Sequence, residues 1–564
     1  MSQTQDHSET RPKRPPETVM RLARLGASHQ CRLSFMRILM RRMARDAWTF
    51  AKTTFDIDTN GVGHAVYTVT TPQRRYALVA FSHDLPPTQR SDRVIATAWD
   101  ATFALVDGEP SADDINRLSR NVPHQEAGRI SEKELVLSRA NRSGRLWAHV
   151  VDALAAGHQP DIERLRDTGY LMRTTAVYGS GKFGAADFAY IKDRPEFSAP
   201  FQAEMLTVYL IRLFVRDLAN HMALAKGGER AATLDADLAQ ELGVGNATGL
   251  GLAPFVMHHP RLIHNWIAAR ETAVARVRAL SMATDDAMAT FRSRLAQVRQ
   301  HVASWETGDP MQGRKLVGLQ QDLTLLSSHM DSDEFVTNYP WNELYLWSEG
   351  ALSLEGQECL TSLMLEPHGD LVDDLAQTMA VPNPRYMPID GTMTVGTLKD
   401  HIRRRYDWAL SIDWDDPRNS ARIWYVSADK LEPRLSDRMT DALAPYAQPV
   451  APGRDVSRLY QALTDWPEDA RIATLLMNDP VYRSTVRRIQ TALQAPYSEI
   501  RDNTISADMH PVDLLRCVLA FFGATRFDPK SDRWLRICMY AGAPFPETLT
   551  PDTAEDWPFP RMVK

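Results

Sequence analysis

The chain has 564 residues, of which 44% are hydrophobic and 24% are charged, and its formal net charge at pH 7 is −6. These fractions are typical of globular proteins and exclude a largely disordered chain. The length exceeds what one hydrophobic core supports, so we expect several domains. The sequence contains neither a long uninterrupted apolar run nor a stripe of alternating basic and aromatic residues, so we predict no membrane partner and no nucleic-acid partner.

The four cysteines are far apart in the sequence, and no pair has the C-x-x-C spacing of a structural zinc site. The N-terminus lacks the apolar core and the small-residue cleavage site of a secretory signal. We therefore predict a cytoplasmic protein without disulfide bonds and without a bound metal. No motif identifies a cofactor, so the sequence leaves the cofactor unknown.

The first 50 residues are basic, with ten Arg or Lys residues and four acidic residues. Residues 1–18 are polar and rich in proline, which predicts a disordered tail. Apolar residues at three- and four-residue spacing then predict an amphipathic helix on which Arg37, Arg41 and Arg45 form a basic stripe. A solvated helix face is the favoured interpretation of this stripe, and contact with nucleic acid or an acidic partner is the alternative.

The pattern changes from helix to strand at Thr53. Residues 53–85 contain β-branched and aromatic runs separated by turn signals, which predicts a three-stranded antiparallel meander. Residues 94–108 are a candidate fourth strand. Helical patterns follow at 111–122 and 144–157, where Ser and Gly provide the start and stop signals.

The middle of the chain is predicted to be helical. Residues 201–228 are apolar on nearly all sides of a helix, so this helix is expected to be buried. Further helical patterns are found at 260–280, 285–305, 316–330 and 393–410. A proline-rich stretch near residue 385 predicts a domain boundary.

The C-terminal part combines both element types, with strand patterns at 421–435 and 533–542 and helices between 455 and 495 and at 510–523. The predicted fold class is therefore α+β, mostly helical and multi-domain, with an N-terminal antiparallel meander and a C-terminal mixed α/β region. The predicted divisions are a disordered tail (1–18), an N-terminal α+β domain (19–198), a helical domain (199–384) and a C-terminal α+β domain (385–564).

A Gly-Ser-Gly-Lys stretch that ends at Lys182 looks like the end of a phosphate-binding loop. A Walker A loop requires a glycine where Ala176 stands and a hydroxyl where Phe183 stands, so we predict no nucleotide site. A glycine-hinged β-hairpin accounts for the same glycines. It would present Tyr178 as a proton-transfer group and Lys182 as an anion-binding group, because site residues are common on loops held by a rigid scaffold.

A second glycine cluster lies at residues 243–251, before an apolar helix. The dinucleotide-binding fingerprint requires its third glycine one residue earlier, so Rossmann binding is not favoured. A glycine-rich loop over 243–259 would allow close approach of the backbone to a ligand, with Asn246, His258 and His259 as binding groups. The alternative is a helix entry with capping and core histidines.

The segment from Asn338 to Gly350 is rich in aromatic residues with a few polar groups among them. Tyr339, Trp341 and Asn342 would line a small-molecule pocket, since such pockets combine aromatic walls with few polar groups. Glu343 would serve there as an acid or base. The alternative interpretation is an aromatic-rich helix of the core.

Two further groups of polar residues have the side-chain types of ligand sites. The residues around His368 and Asp370 have the types that bind a hard metal, but an acidic helix start also explains them, and we predict no metal site. In the C-terminal part, basic residues on separate segments could converge on a carboxylate or phosphate. The candidates are Arg434, Arg501, Lys530 and Arg533.

These observations together predict an enzyme that acts on a small anionic organic molecule, with no reaction class assigned. Its site would lie between domains and combine the hairpin at 178–184, the loop at 243–259 and the aromatic segment at 339–345. Tyr178 or Glu343 would transfer the proton, and basic residues would bind the anion. The expected partner is a small-molecule ligand, and a homodimer is compatible with the sequence. A redox enzyme whose cofactor lacks a standard fingerprint and a non-catalytic interaction protein are the alternatives.

Overall fold

The structure is a computed structural model, and the part of the chain that it describes consists of many ranges. These are residues 11–86, 98–122, 131–179, 191, 193–246, 259–332, 335, 339–379, 387–416, 422–425, 433–435, 447–449, 452–501, 511–531 and 534–560. For some of them the backbone alone is described. These are residues 121, 175–179, 422–425, 433–435, 447–449, 511–515, 526–531 and 534–536.

Helices are the main element of the described residues, and we number them in chain order. They are α1 (Pro16–Val19), α2 (Leu22–Leu25), α3 (Phe35–Arg45), α4 (Ala112–Asn121), α5 (Gly144–Ala155), α6 (Ile162–Thr168), α7 (Gln202–Gly227), α8 (Ala236–Glu241), α9 (Pro260–Arg278), α10 (Asp285–Ala303), α11 (Pro310–Met330), α12 (Trp341–Ala351), α13 (Leu354–Met364), α14 (Gly369–Val372), α15 (Val395–Leu410), α16 (Pro452–Ala462), α17 (Ile472–Asn478), α18 (Arg483–Gln494), α19 (Pro511–Phe522) and α20 (Thr553–Asp556).

The described strands form two sheets. They are β1 (Thr49–Ile57), β2 (Gly63–Thr70), β3 (Arg75–Ser82), β4 (Ala101–Asp107), β5 (Glu134–Arg142), β6 (Tyr170–Gly179), β7 (Gly243–Asn246), β8 (Arg422–Tyr425), β9 (Pro433–Leu435), β10 (Ala447–Pro449), β11 (Arg526–Ser531) and β12 (Trp534–Met539). One sheet has nine strands in the order β1-β2-β3-β4-β5-β6-β7-β12-β11, and the other has three in the order β10-β8-β9.

The chain divides into two compact units, and each is built from three separate segments. Unit 1 contains Met1–Gly26, Leu250–Thr284 and Thr337–Cys517. Unit 2 contains Ala27–Gly249, Asp285–Val336 and Val518–Lys564. This division differs from the predicted series of consecutive domains, since unit 1 continues through residue 385.

The nine-stranded sheet of unit 2 begins with the predicted meander. Strands β1 to β6 pair in sequence order, and all five pairings are antiparallel. The three predicted strands and the candidate fourth strand are therefore confirmed, and the meander continues through β5 and β6. Adjacent antiparallel strands need only short connections, which is why local turn signals predicted this part of the sheet.

The two faces of this sheet are covered by helices. Alternation along the strands places Tyr67 and Phe103 on the face that packs against α7, where both rings contact Phe214. On the opposite face, Ala104 packs in a cluster that includes Leu118 of α4. The 26 residues of α7 are buried over most of its length, as predicted from its nearly continuous apolar surface.

The second glycine cluster begins as a strand, which corrects the prediction of a loop starting at residue 243. Strand β7 is buried and pairs parallel with β6 and antiparallel with β12. A Cβ atom on Gly243 would lie 2.2 Å from the backbone oxygen of Met539, and one on Gly245 would lie 2.8 Å from the ring of Tyr170. These two glycines therefore allow close packing of neighbouring strands within the sheet.

We expect Gly243→Ala to lower the free energy of unfolding of unit 2 by about 3 kcal/mol, because the added methyl overlaps with backbone that cannot rotate away. Gly308→Ala is the matched control, since a Cβ there has no neighbour within 4 Å. Urea unfolding of the two variants measures the difference. If both variants were equally stable, the assignment of close packing at β7 would be contradicted.

Helix α3 corrects the prediction of a solvated basic stripe. Arg37 is completely buried, and its Nη2 lies 3.1 Å from Glu555 Oε2. Arg42 is also buried and donates hydrogen bonds to the carbonyl oxygens of Pro195 and Glu196, each at 2.8 Å. Arg45 is largely exposed, as predicted. The carboxylate of Glu555 and two backbone carbonyl groups thus compensate for the burial of the two guanidinium charges. The spacing of apolar residues along the helix cannot indicate such distant partners.

Unit 1 is mainly helical. Helix α9 packs against α12, α13, α14 and α18. A separate core formed by α15, α16, α17 and α18 includes Ile402, Tyr406, Leu459 and Ile489. The three-stranded sheet is antiparallel throughout. Together with unit 2, these elements confirm the α+β, multi-domain fold class and the mixed character of the C-terminal part.

Candidate functional site

The predicted aromatic segment forms α12, which begins after Pro340 and directs the rings of Trp341 and Tyr345 inward. Trp341 is completely buried, and its ring lies edge-on to His368 with 5.5 Å between the ring centroids. Tyr345 is also buried, whereas Asn342 is half-buried. The core interpretation therefore holds for Trp341, and the polar edge of the helix is where ligand chemistry could occur.

Arg278 lies at this polar edge, in the last turn of α9. Its Nε donates a hydrogen bond to Asn342 Oδ1 at 3.0 Å, and its Cζ lies 3.9 Å from the centroid of the Tyr345 ring. Among the residues that the structure describes, no carboxylate oxygen lies within 4 Å of this guanidinium. The contacts orient the planar group while its two Nη atoms stay available as donors.

The surroundings of Arg278 are rich in positive charge. Burial lowers the pKa of Arg278; the nearby phenol of Tyr345 and carboxylate of Glu349 oppose this shift, and the charges of Arg14 and Arg11 reinforce it. Because like charges destabilise a half-buried cation, an anion bound here would be favoured electrostatically.

Tyr345 and Glu349 form a hydrogen-bonded pair one helical turn apart. The Tyr345 hydroxyl donates to Glu349 Oε1 at 2.9 Å. Burial raises the pKa of Tyr345 to about 12; the charge of Arg14 opposes this, and the hydrogen bond to Glu349 adds to it. The phenol therefore keeps its proton near pH 7 and has an exposed carboxylate as acceptor.

A buried network of arginines and glutamates lies along the middle of α9. Arg14 Nε and Nη2 bind the two carboxylate oxygens of Glu271 at 2.8 and 2.9 Å, and its Nη1 binds Glu358 Oε1 at 2.6 Å. Arg24 and Arg270 add further contacts to the same carboxylates. Three guanidinium groups therefore share two carboxylates, and the network carries one excess positive charge.

The pKa of Glu358 is lowered within this network. Although burial alone would raise its pKa, the charges of Arg14, Arg270 and Arg24 together lower it to about 2. Glu358 therefore remains ionised over the whole range in which the protein is expected to function. A buried carboxylate that stays charged requires this surplus of guanidinium groups.

We expect low pH to decrease the free energy of unfolding of the wild type more than that of the Glu358→Gln variant. In the unfolded chain this carboxyl titrates near pH 4.5, and in the folded chain at about 2. Its contribution is therefore fully present above pH 4.5 and is lost as the pH falls towards 2, with an amplitude of about 3 kcal/mol. Urea unfolding from about pH 7 to about pH 2 measures this difference. Equal pH dependence in the two proteins would contradict the assignment.

The N-terminal segment from residue 11 onward packs against the rest of unit 1. The sequence predicted a disordered tail that extended to residue 18. The Tyr497 hydroxyl donates to the carbonyl oxygen of Arg14 at 2.8 Å. The backbone N–H of Arg501 donates to the carbonyl oxygen of Met20 at 2.7 Å, and its side chain pairs with Glu17 at 2.8 Å. These contacts place the cations of the segment close to α9.

The predicted site residues of unit 1 lie in different surroundings. Asn342 contacts Arg278, whereas Trp341 lies in the core. Glu343 is on the exposed side of α12, and its acid–base role stays a prediction. Tyr339 precedes α12, and His259 is the N-cap residue of α9.

The remaining predicted residues are only partly described. Asn246 is buried in β7, opposite Thr174 of β6. The backbones of Tyr178, Arg434 and Lys530 lie in β6, β9 and β11, and nothing is described of their side chains. The positions that lie outside the described residues are Lys182, His258 and Arg533. Convergence of these groups on one pocket therefore stays a prediction.

Arg278 and Arg14 were not among the predicted site residues, and Tyr345 was predicted only as part of the aromatic segment. Tyr345 and Glu349 lie in the aromatic segment at i, i+4 spacing, and this spacing is a signal that could have paired them. Arg278 resembles any other arginine in a helix, and Arg14 lies in a segment predicted to be a tail. Their roles depend on contacts with residues far away in the sequence, which no local pattern contains.

Comparisons with known proteins add no further assignment, since no family model, no curated protein and no solved structure matches the chain. Within the described ranges, no helix combines the length and the apolar character required to cross a membrane. In the same ranges, no three His, Cys, Asp or Glu side chains are grouped so that they could hold a metal ion.

Proposed function

We propose that the protein is an enzyme acting on a small anionic organic molecule, and that Arg278 and Asn342 bind a carboxylate of that molecule. The observation that carries the proposal is the half-buried guanidinium of Arg278, oriented by Asn342 and by the Tyr345 ring. A planar guanidinium with available Nη donors matches the geometry of a carboxylate.

The positive surroundings support the choice of an anion over a neutral ligand. Arg11 and Arg14 both act on Arg278 as like charges, and the Arg14 network has one guanidinium more than it has carboxylates. A carboxylate that enters this field is attracted before it makes contact. The buried Tyr345 ring below the guanidinium holds the planar group in position for the ligand.

We assign proton transfer in this proposal to Tyr345 and Glu349. The phenol is buried next to Arg278, and the exposed carboxylate accepts its hydrogen bond. Tyr345 would turn its hydroxyl from Glu349 to the bound substrate and give it the proton, and Glu349 would then pass a proton taken from water back to the phenolate. Tyr178 and Glu343 remain candidates from the sequence for the same role.

The test is a thermal-shift screen of the purified protein with small mono- and dicarboxylates. A ligand should raise the midpoint of unfolding of the wild type by about 2 °C or more, because binding stabilises the folded state. Arg278→Ala should lose this shift, since the carboxylate loses a charged hydrogen-bond partner.

Arg403→Ala is the matched control for this screen. Arg403 also contacts a tyrosine, with its Nε 2.7 Å from the Tyr460 hydroxyl, but it pairs with Asp400 at 3.0 Å. It should keep the ligand-induced shift. A shift that survives in Arg278→Ala would refute the proposed binding group. An absorbing cofactor in the purified protein would instead favour the redox alternative.

We further propose that the enzyme works in a reducing compartment such as the cytoplasm. All four cysteines are buried and none is joined in a disulfide bond, which is the state expected where thiols are kept reduced. Native mass spectrometry of the purified protein tests for the homodimer at the same time as it detects a retained ligand.

A further inference from the structure

We propose that the first turn of α9 forms a second anion site, which binds the phosphate group of a soluble phosphomonoester through Arg261, His264, Lys13 and Arg487. This cluster lies at the opposite end of α9 from Arg278. Arg278 follows His264 by 14 positions, which correspond to about 21 Å of helix. The site is therefore separate from the proposed carboxylate site and does not depend on it.

The geometry of His264 defines the donor at the centre of this cluster. The backbone N–H of Tyr497 donates to His264 Nδ1 at 3.1 Å, and the two rings are stacked with 5.7 Å between their centroids. Because Nδ1 accepts a hydrogen bond, the proton of the neutral imidazole is on Nε2. His264 is half-buried, so this N–H is a fixed donor on a partly open surface.

The charges of two cationic side chains, Lys13 and Arg261, act on this imidazole. Tyr497 binds His264 through its N–H and the carbonyl oxygen of Arg14 through its hydroxyl. Lys13 precedes Arg14 in the chain, and its charge acts on the imidazole. Arg261 lies one turn before His264 on the same helix face. On α18, Gln494 accepts a hydrogen bond from Arg261 Nη2 at 3.3 Å.

Arg487 completes the cluster from the same face of α18. It precedes Gln494 by seven residues, or about two helical turns, and its charge acts on Arg261. Among the residues that the structure describes, no carboxylate oxygen lies within 4 Å of Arg261, Lys13 or Arg487. The positive charges are therefore not balanced locally by ion pairs.

The titration of His264 agrees with this arrangement. Burial lowers its pKa to about 4, and the charges of Lys13 and Arg261 add to the effect. At neutral pH the imidazole is therefore uncharged and acts as a hydrogen-bond donor. A dianion next to it would restore the electrostatic balance of the cluster.

The direction of α9 favours the same ligand. This helix has 19 residues and begins with Pro260, and its N-terminal end carries the positive end of the helix dipole. Helical side chains tilt towards the N-terminus, so Arg261 and His264 both reach towards that end. Three cations, an imidazole donor and the dipole suit a phosphate dianion better than a carboxylate, which has one charge and fewer acceptor sites.

The experiment is isothermal titration of the full-length protein with inorganic phosphate in chloride buffer at constant ionic strength and neutral pH. We expect saturable binding, with affinity reduced at least about tenfold in Arg261→Ala. Lys13→Ala and Arg487→Ala remove exposed side chains, so folding should be preserved while the affinity falls by about threefold or more. Arg403→Ala is the control and should bind as the wild type does.

Each other outcome overturns the proposal. If phosphate does not bind up to about 10 mM, the cluster is no phosphate site. Binding that is unchanged in Arg261→Ala would show an adventitious ion only. Sedimentation with vesicles containing phosphatidic acid, without binding of inorganic phosphate, would identify a membrane headgroup as the source of phosphate. None of these measurements uses a ligand of Arg278, so failure here leaves the proposed function to its own test.

Discussion

Replacing Arg14 with alanine is expected to lower the free energy of unfolding of unit 1 by about 3–5 kcal/mol, because it leaves buried carboxylates with fewer charge partners. Arg14 is almost completely buried and binds both Glu271 and Glu358. The carboxylates keep Arg270 and Arg24 as neighbours. The loss is therefore smaller than for an isolated buried charge, but much larger than for a surface ion pair.

A double-mutant cycle with Glu358→Gln separates the charge interaction from simple loss of packing. If the two residues stabilise each other, Glu358→Gln costs less in the Arg14→Ala background than in the wild type. Amide hydrogen exchange of residues 11–25 shows whether the segment detaches or the whole unit loses stability. Additive effects and unchanged exchange would contradict the account of the network.

Arg212→Met is expected to destabilise unit 2 by about 3 kcal/mol or more, because three backbone carbonyl groups lose their donor. Arg212 is buried and donates to the carbonyl oxygens of Leu242 at 2.7 Å, Ala543 at 2.7 Å and Gln240 at 3.0 Å. Burial lowers the pKa of Arg212 to about 10, so the guanidinium remains charged at neutral pH. Its hydrogen bonds connect the segment before β7 with the segment after β12.

Arg216→Ala is the control for this measurement. Arg216 is one turn further along α7 and stacks on Phe545, with its Cζ 4.4 Å from the ring centroid, as Arg212 does at 4.0 Å. Its partner Glu547 is mostly exposed, so its loss should cost about 1 kcal/mol or less. Urea unfolding of both variants compares the costs, and similar values would refute the importance of the three carbonyl contacts.

Local patterns predicted most of the elements because the physical causes of those elements are local. The alternation between residues 53 and 85 and its turn signals predicted the meander, since hairpin strands pair with their sequence neighbours. The nearly continuous apolar surface of 201–228 predicted a buried helix, and α7 is one. Pro511 and Gly523 marked the ends of α19, where Gly523 has a positive φ of 90°.

The same local patterns could not predict contacts between distant segments of the chain. Strand β7 has only four residues, and it is a strand because β6 and β12 pair with it from far away in the sequence. The burial of Arg37 depends on Glu555. Unit 1 continues across the predicted boundary near residue 385, and α9 bonds to segments on both sides of it, through Asn265 to Met379 and His264 to Tyr497.

The candidate site was predicted in part. The aromatic segment was recognised from its composition, and Asn342 contacts Arg278 as a polar group of a pocket would. The sequence could not show that α12 directs Trp341 into the core and Glu343 outward, because side-chain direction depends on the helix against which α12 packs. It also could not show that Arg278 contacts Asn342 and the Tyr345 ring.

The most direct test of the central claim is a crystal structure of the protein with the carboxylate ligand that gives the largest thermal shift. We predict that a ligand oxygen lies about 2.7–3.1 Å from a terminal nitrogen of Arg278, with a second contact to Asn342. The guanidinium should keep its place over the Tyr345 ring. A ligand bound elsewhere, with Arg278 unchanged in its surroundings, would contradict the proposed site.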